Sequence, residues 1–289
     1  MSAEKQDNQQ VEEQEMTFWD HLETLRWAIF RVLGVLLLLM VGCFIAMPHI
    51  FDPFVLGPTT SDFFIYKWFA AIGGSVHMKG VMPDFGDSSF SVDIININVA
   101  TQFMTHITTS FWFSLVLVFP YLIYEIWKFI KPALFPNEQW GVRIAFLFGT
   151  VLFFLGCAIG YGLVFPLTFR FLTQYTIGDI VTNQISLNSY MANFLTIIFV
   201  MGVVFEIPMV AWILSQMGLL HKGFLRQYRR IAIVALLVLA AMITPSGDPF
   251  TLSVVFLPLY MLYELSILVV KPDEPEEDEE ADATETETE

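Results

Sequence analysis

The chain has 289 residues, 55% hydrophobic and only 15% charged. A water-soluble domain would have nearer half and a quarter, and the apolar residues here gather into runs that reach the roughly 20 residues needed to cross a bilayer. The composition predicts a polytopic helical membrane protein, and the net charge of −15 is carried by its ends. Lys271–Glu289 holds eleven acids and one lysine, and Met1–Glu23 holds seven acids and one lysine. Between Arg26 and Val270 there are twelve basic and eleven acidic residues. Residues 1–16 and 271–289 therefore read as disordered acidic tails on a balanced membrane domain, 17–270, because like-charge blocks without aromatics stay solvated. Solubilisation or docking of a basic partner would both suit the C-terminal tail.

Residues 1–16 are polar and lack the basic start and apolar centre of a signal peptide, so the first span is expected to be retained. Thr17-Phe-Trp-Asp20 reads as a helix N-cap with an acid three residues on. The helix it starts should lie along the membrane surface through His21-Leu-Glu-Thr-Leu-Arg26 before turning into span one, about 27–47. Arg31, one turn inside, is expected to snorkel to the headgroups. Residues 48–99 read as a long loop punctuated by Asp52-Pro, Gly57-Pro, Gly73-Gly and Pro83-Asp, with weak β-like alternation over 89–99. Span two, about 101–130, is long enough to tilt or project, and its opening stretch from Thr101 to Ser110 is too polar to face lipid. Span three is placed at about 144–166, followed by a polar loop from Arg170 to Asn188. Span four runs from about 190 to 214, span five from 231 to 243, and span six from 250 to 270. Cys43 and Cys157 fall within spans, without metal or redox spacing.

Orientation follows from Lys and Arg. With the N-terminus inside, eleven fall inside and three (Lys67, Lys79 and Arg170) outside, which puts both termini in the cytoplasm. Span five has thirteen apolar residues, roughly 20 Å of helix against a hydrocarbon core of roughly 30 Å. Either its ends snorkel or the bilayer thins beside it, and a concave bundle is expected. The two halves of the chain show no repeat.

Glu206 interrupts an apolar run from Phe194 to Trp212. A charged carboxylate at that depth costs a few kcal/mol, and Pro208 frees the carbonyl of Val204 and bends the helix beside it. Glu206 reads either as a working intramembrane acid or as a protonated group bonded to a neighbouring helix. With the stretch Gln102–Ser110, Glu125 and Glu264 it is a candidate for one polar groove, unless these groups simply join helices. Near the surface, Asp20, Glu23 and Glu138 are carboxylates of the kind that hold guanidinium groups in paired bonds. Capping for Asp20, an i,i+3 pair with Arg26 for Glu23 and turn solvation for Glu138 are the alternatives. No nucleotide-binding loop, zinc-hydrolase or serine-hydrolase signature is present. No enzyme activity, cofactor or metal is expected, nor a nucleic-acid partner.

Four segments, His21-Leu-Glu-Thr-Leu-Arg26, Phe119-Pro-Tyr-Leu-Ile-Tyr-Glu-Ile-Trp-Lys-Phe-Ile-Lys-Pro-Ala-Leu-Phe135 into Glu138, Phe205-Glu-Ile-Pro208 and Thr244-Pro-Ser-Gly-Asp-Pro-Phe250, occur in the order of a family that the chain resembles. That family is TatC, the core receptor subunit of the twin-arginine protein translocase, and the likeness covers about 17–270. The resemblance implies an inner-membrane receptor that binds twin-arginine signal peptides of folded precursors at the cytoplasmic face. It also implies assembly with TatA/TatB-type single-span subunits, self-association, contact with membrane lipids and export driven by the proton-motive force. By the same resemblance, Glu138 holds the arginine pair with Glu23, Asp20, Arg26 and Phe129 nearby. Glu206 and Pro208, with Gln102, His106, Asp248 and Glu264, belong to a groove where partner helices dock. Pro120 and Phe129 match positions of the second motif. The pattern departs at Thr24, where the family has a glutamate, so that Glu23 or Asp20 would supply the charge, and at Leu252, where some relatives have glutamine. The alternative function is a proton-coupled small-solute transporter using Glu206.

Overall fold

The computed structural model describes residues 18–73, 89–131, 139–176, 178, 183–244 and 247–272. The all-α class is borne out. Helix α1 spans Phe18–Ile50, followed by a π-helical turn at Phe51–Val55, a 3-10 turn at Gly57–Thr59 and α2 at Phe64–Gly73. Then come α3 (Thr101–Ile130), α4 (Gln139–Ile159), a π turn (Gly160–Val164) and α5 (Phe165–Gln174). The rest is α6 (Leu187–Val204), α7 (Ile207–Gln216), α8 (Lys222–Gln227), α9 (Arg229–Ile243) and α10 (Pro249–Val269). Five helical stretches are long and apolar enough to cross a membrane: Leu22–Thr59, Thr101–Ile130, Trp140–Gln174, Leu187–Gln216 and Pro249–Val269. Helix α9 has 15 residues, about 22 Å at 1.5 Å per residue, and is shorter than these.

Two ends emerge. Phe18, the end of α3, the start of α4, α8 and Lys271 share one, which we call the basic end; it carries Arg26, Lys128, Lys131, Arg143, Lys222, Arg226, Arg229 and Arg230. The opposite, aromatic end carries residues 51–73 and 89–100 and the start of α6. Helix α1 packs along α3, α4 along α6, and α10 against α7 and α9. Close approach of α4 and α6 rests on Gly156, where a Cβ would lie 2.6 Å from the Met201 carbonyl and 2.7 Å from Phe205.

Several expectations are corrected. Helix α1 is unbroken from Phe18, so 18–26 continues the axis of span one without the expected turn. Span two begins and ends where the sequence placed it. Residues 48–99 are more than a loop: they hold α2 and a two-residue strand β1 (Ile94–Ile95). This strand pairs in parallel with β2 (Ile185–Ser186), Ile94 opposite Ile185. The weak alternation had a partner some 90 residues away that periodicity cannot reveal.

The expected loop from Arg170 is also corrected, because α5 continues span three through the π turn to Gln174. Arg170 is fully buried. Its guanidinium lies 4.7 Å from the Tyr66 ring centre and 4.5 Å from that of Phe90, within cation–π range. The turns after α1 leave carbonyls without helical partners, and in an apolar setting each needs a donor. Three tyrosines supply them: Tyr161 bonds to Phe54 O at 3.0 Å, Tyr190 to Val55 O, and Tyr66 reaches Pro58 O at 2.9 Å and Pro166 O at 3.0 Å. Burial pushes the Tyr66 hydroxyl above the usual phenol range despite the opposing pull of Arg170, so it stays a neutral donor.

Candidate functional site

At the basic end, α1 and α3 enclose an apolar groove of about 260 Å³ lined by Leu25, Ala28, Ile29, Val32, Leu33, Leu122, Glu125, Ile126 and Phe129. Two charged features lie on the same two helices. Glu23 and Arg26 pair at 3.6 Å, both largely exposed, which is the i,i+3 contact their spacing allows. Deeper in, Arg31 does not snorkel. Its Nε donates to Glu125 Oε1 at 2.9 Å and its Nη2 to Oε2 at 2.7 Å, a bidentate bond joining α1 to α3. Tyr121 donates to the same Oε1 at 2.8 Å. Glu125 is 4% exposed and accepts all three of these bonds. Asp20 lies in the first turn of α1, and its side chain falls outside the described residues. Glu138 falls outside them too, in the connection from α3 to α4.

Glu206 occupies a break between two helices. Proline at position 208 has no N–H for the Val204 carbonyl, so α6 ends at Val204 and α7 restarts at Ile207 with Pro208 in its first turn. The Glu206 N–H turns to Val203 O at 3.1 Å. The carboxyl group is buried, and neither oxygen has a hydrogen-bond partner among the described residues. It lies over Gly149 of α4, where a Cβ would stand 2.7 Å from Oε2. Counting 1.5 Å per residue, Glu206 sits about 28 Å from Leu187 and about 15 Å from Gln216, nearer the basic end. Beside it, Pro208 and Met209 line an open apolar groove of about 320 Å³ with Trp140, Ile144, Phe148 and Trp212.

The remaining members of the expected groove are elsewhere. Gln102 and His106 line a cavity of about 480 Å³ near the aromatic end, with Asp52 and Asn96. The His106 ring stacks on Phe44 at 3.9 Å and its Nε2 lies 2.8 Å from Phe44 O. Asp248 is the N-cap of α10, accepting from Thr251 N at 2.9 Å, next to Gly247 in the left-handed region at φ 58°. Glu264 pairs with Arg229 at 2.6 Å between α9 and α10. Thus Glu206 and Pro208 stay together, as do Gln102 and His106 in a separate cavity, while Asp248, Glu264 and Glu125 each lie elsewhere. Sequence reasoning missed the Arg31–Glu125 pair, although an arginine and a glutamate inside apolar runs at matching depths on neighbouring spans were its visible signal.

Known proteins share this architecture. The family model described as TatC, Sec-independent protein translocase protein, matches residues 20–258. The Sec-independent protein translocase protein TatC of Blattabacterium sp. subsp. Periplaneta americana is 34% identical over 258 residues, 89% of this chain and 96% of that protein. The protein of the same name from Helicobacter pylori (strain J99) is 30% identical over 272 residues, 92% of this chain and 95% of its own length. The fold is similar to a crystal structure described as the twin arginine translocase receptor TatC in DDM, with a TM-score of 0.68, 24% identity and coverage of 87% of this chain and 99% of that one. These names describe protein translocation, a transport role, rather than catalysis or small-solute transport. The chain belongs to the TatC family of Sec-independent protein translocase proteins.

Proposed function

We propose that this protein is the receptor core of a twin-arginine translocase. It spans the bacterial inner membrane six times, α9 being the short fifth span, with both termini in the cytoplasm. The basic end would then face the cytoplasm, in keeping with the excess of Lys and Arg there. A signal peptide would bind there, its arginine pair on Glu138 with Glu23 or Asp20 and its apolar segment in the groove beside Phe129. The observation that carries this reading is that groove. Its lining is apolar apart from Glu125, and the exposed Glu23 lies two residues before Leu25 on the same helix, an arrangement that suits a peptide with arginines followed by an apolar run. Carboxylates suit the two guanidinium forks because each offers bidentate acceptors.

Partner helices of TatA/TatB type would dock at the groove beside Pro208 and Glu206, where a buried acid with no hydrogen-bond partner among the described residues sits next to an open apolar surface. A single-span partner offering a polar group would satisfy it. The test is photocrosslinking of a twin-arginine signal peptide to the full chain in membranes, with Glu138→Ala as control. Contacts are expected near Glu138, Asp20 and Glu23 and are expected to weaken in the variant. Contacts confined to the aromatic end would overturn the assignment.

A further inference from the structure

The basic end carries a surface that the receptor reading does not use. His221, Lys222, Arg226, Arg229 and Arg230 crowd α8 and the first turn of α9. All are exposed except Lys222, which is half-buried. Arg229 is committed to Glu264. Among the described residues, Lys222, Arg226 and Arg230 are in no ion pair. The C-terminal segment leaves the fold at this same place. The Lys271 N–H donates to Ser215 Oγ at 3.0 Å, and the Lys222 N–H donates to Lys271 O at 3.2 Å. Residues 273–289 then carry eleven acids and no basic residue.

We propose that residues 273–289 dock on the basic face of α8 and α9. The charges match in sign and the lengths match in scale. From Lys222, Arg226 lies about 6 Å and Arg230 about 12 Å along the helical path. An extended chain covers about 3.3 Å per residue, so the acids from Asp273 to Glu277 span that distance as the tail leaves Lys271. Each exposed pair is weak by itself. The tether compensates, because attachment beside Lys222 holds the acids at high effective concentration, and pairing relieves repulsion among them. Anionic lipid headgroups are the rival occupant, since basic residues at a membrane surface attract them. The tail is favoured because its exit is hydrogen-bonded to the first residue of α8, whereas lipid must be recruited. The docked tail shields this face from the membrane surface and from other anions. The inference holds whether or not signal peptides bind as proposed above.

The test is zero-length carbodiimide coupling of lysine amines to carboxylates on the full chain in phosphatidylcholine nanodiscs, read by peptide mapping. Lys128 and Lys131 are internal controls at the same end. Lys222 should couple to peptides of 273–289 at least about fivefold more than either control, given its adjacent tether. That preference should fall severalfold in about 0.5 M salt, where exposed charges are screened, and in the Arg226→Gln/Arg230→Gln variant. Equal coupling to Lys128 and Lys131, or coupling indifferent to salt, would overturn the proposal. So would loss of coupling when phosphatidylglycerol replaces phosphatidylcholine, because lipid would then own the face. Coupling that survives the exchange supports the tail as occupant.

Discussion

Glu206 and Gly149 define each other. The carboxyl group fits because residue 149 has no Cβ, and among the described residues neither of its oxygens has a hydrogen-bond partner. Replacing Glu206 by Gln keeps the shape, so the fold should persist while the polar anchor for a partner helix weakens. Co-purification with single-span subunits should drop, with the melting temperature of the detergent-solubilised chain nearly unchanged; an unchanged complex would count against docking there. The Arg31–Glu125 bond makes the opposite kind of prediction. Arg31→Leu strands a buried carboxylate that has lost its bidentate partner, and removing one member of a buried pair costs more than removing both. The melting temperature should fall further for Arg31→Leu than for Arg31→Leu/Glu125→Leu. The depth of Glu206 and its break were legible in sequence, since a proline two residues after an acid in an apolar run is a local signal. The Arg31–Glu125 pair showed only as two ionisable residues inside separate apolar runs, because it joins positions 94 residues apart.

Among the elements, α3 was readable to the residue, from the onset of its polar opening to the last apolar residue before Lys131. Span three was not. Pro166 looked like its end, yet proline is accepted in the first turn of a helix, and the π turn at Gly160–Val164 delivers the chain there. The chain beyond Pro166 is therefore helix, and Arg170 is drawn into an aromatic cage supplied by α2 and Phe90. A polar sequence read as a solvated loop was a buried anchor, because the cage comes from residues about 80 to 100 positions earlier. The tyrosines of this end are expected to matter as hydrogen-bond donors more than as rings. Tyr66→Phe removes the one buried hydroxyl proton that the Pro58 and Pro166 carbonyls share, and should destabilise by about 1–3 kcal/mol in thermal or chemical denaturation.

At the scale of the molecule, five helical stretches long and apolar enough to cross a membrane and the shorter α9 stand between a basic end and an aromatic end. Helix α9 falls about 8 Å short of a hydrocarbon core of about 30 Å. If thinning of the bilayer beside α9 assists passage of a folded precursor, removing the mismatch should hurt export without hurting assembly. Inserting four leucines after Val238 adds about 6 Å. The variant should still insert and co-purify with partners, while export of a twin-arginine reporter declines; undiminished export would remove thinning from the mechanism. The layout of spans was legible because each is set by a local apolar run, whereas the polar groove expected between distant acids dissolved once packing paired Glu125 with Arg31 and Glu264 with Arg229 and left Glu206 apart from both.

The pairing of β1 with β2 has a consequence for how the protein is made. Ile94 lies seven residues before the first residue of α3 and Ile185 two before that of α6, and their parallel match ties the approaches to these two helices together. Nothing can pair with β1 until the chain through α5 has been synthesised and inserted. High sequence separation makes such a contact late and slow. During synthesis α1 and α3 can associate early, with Arg31 already on Glu125, while the aromatic end waits. Closing this two-residue clasp is then the step at which the second half of the protein is set in register against the first.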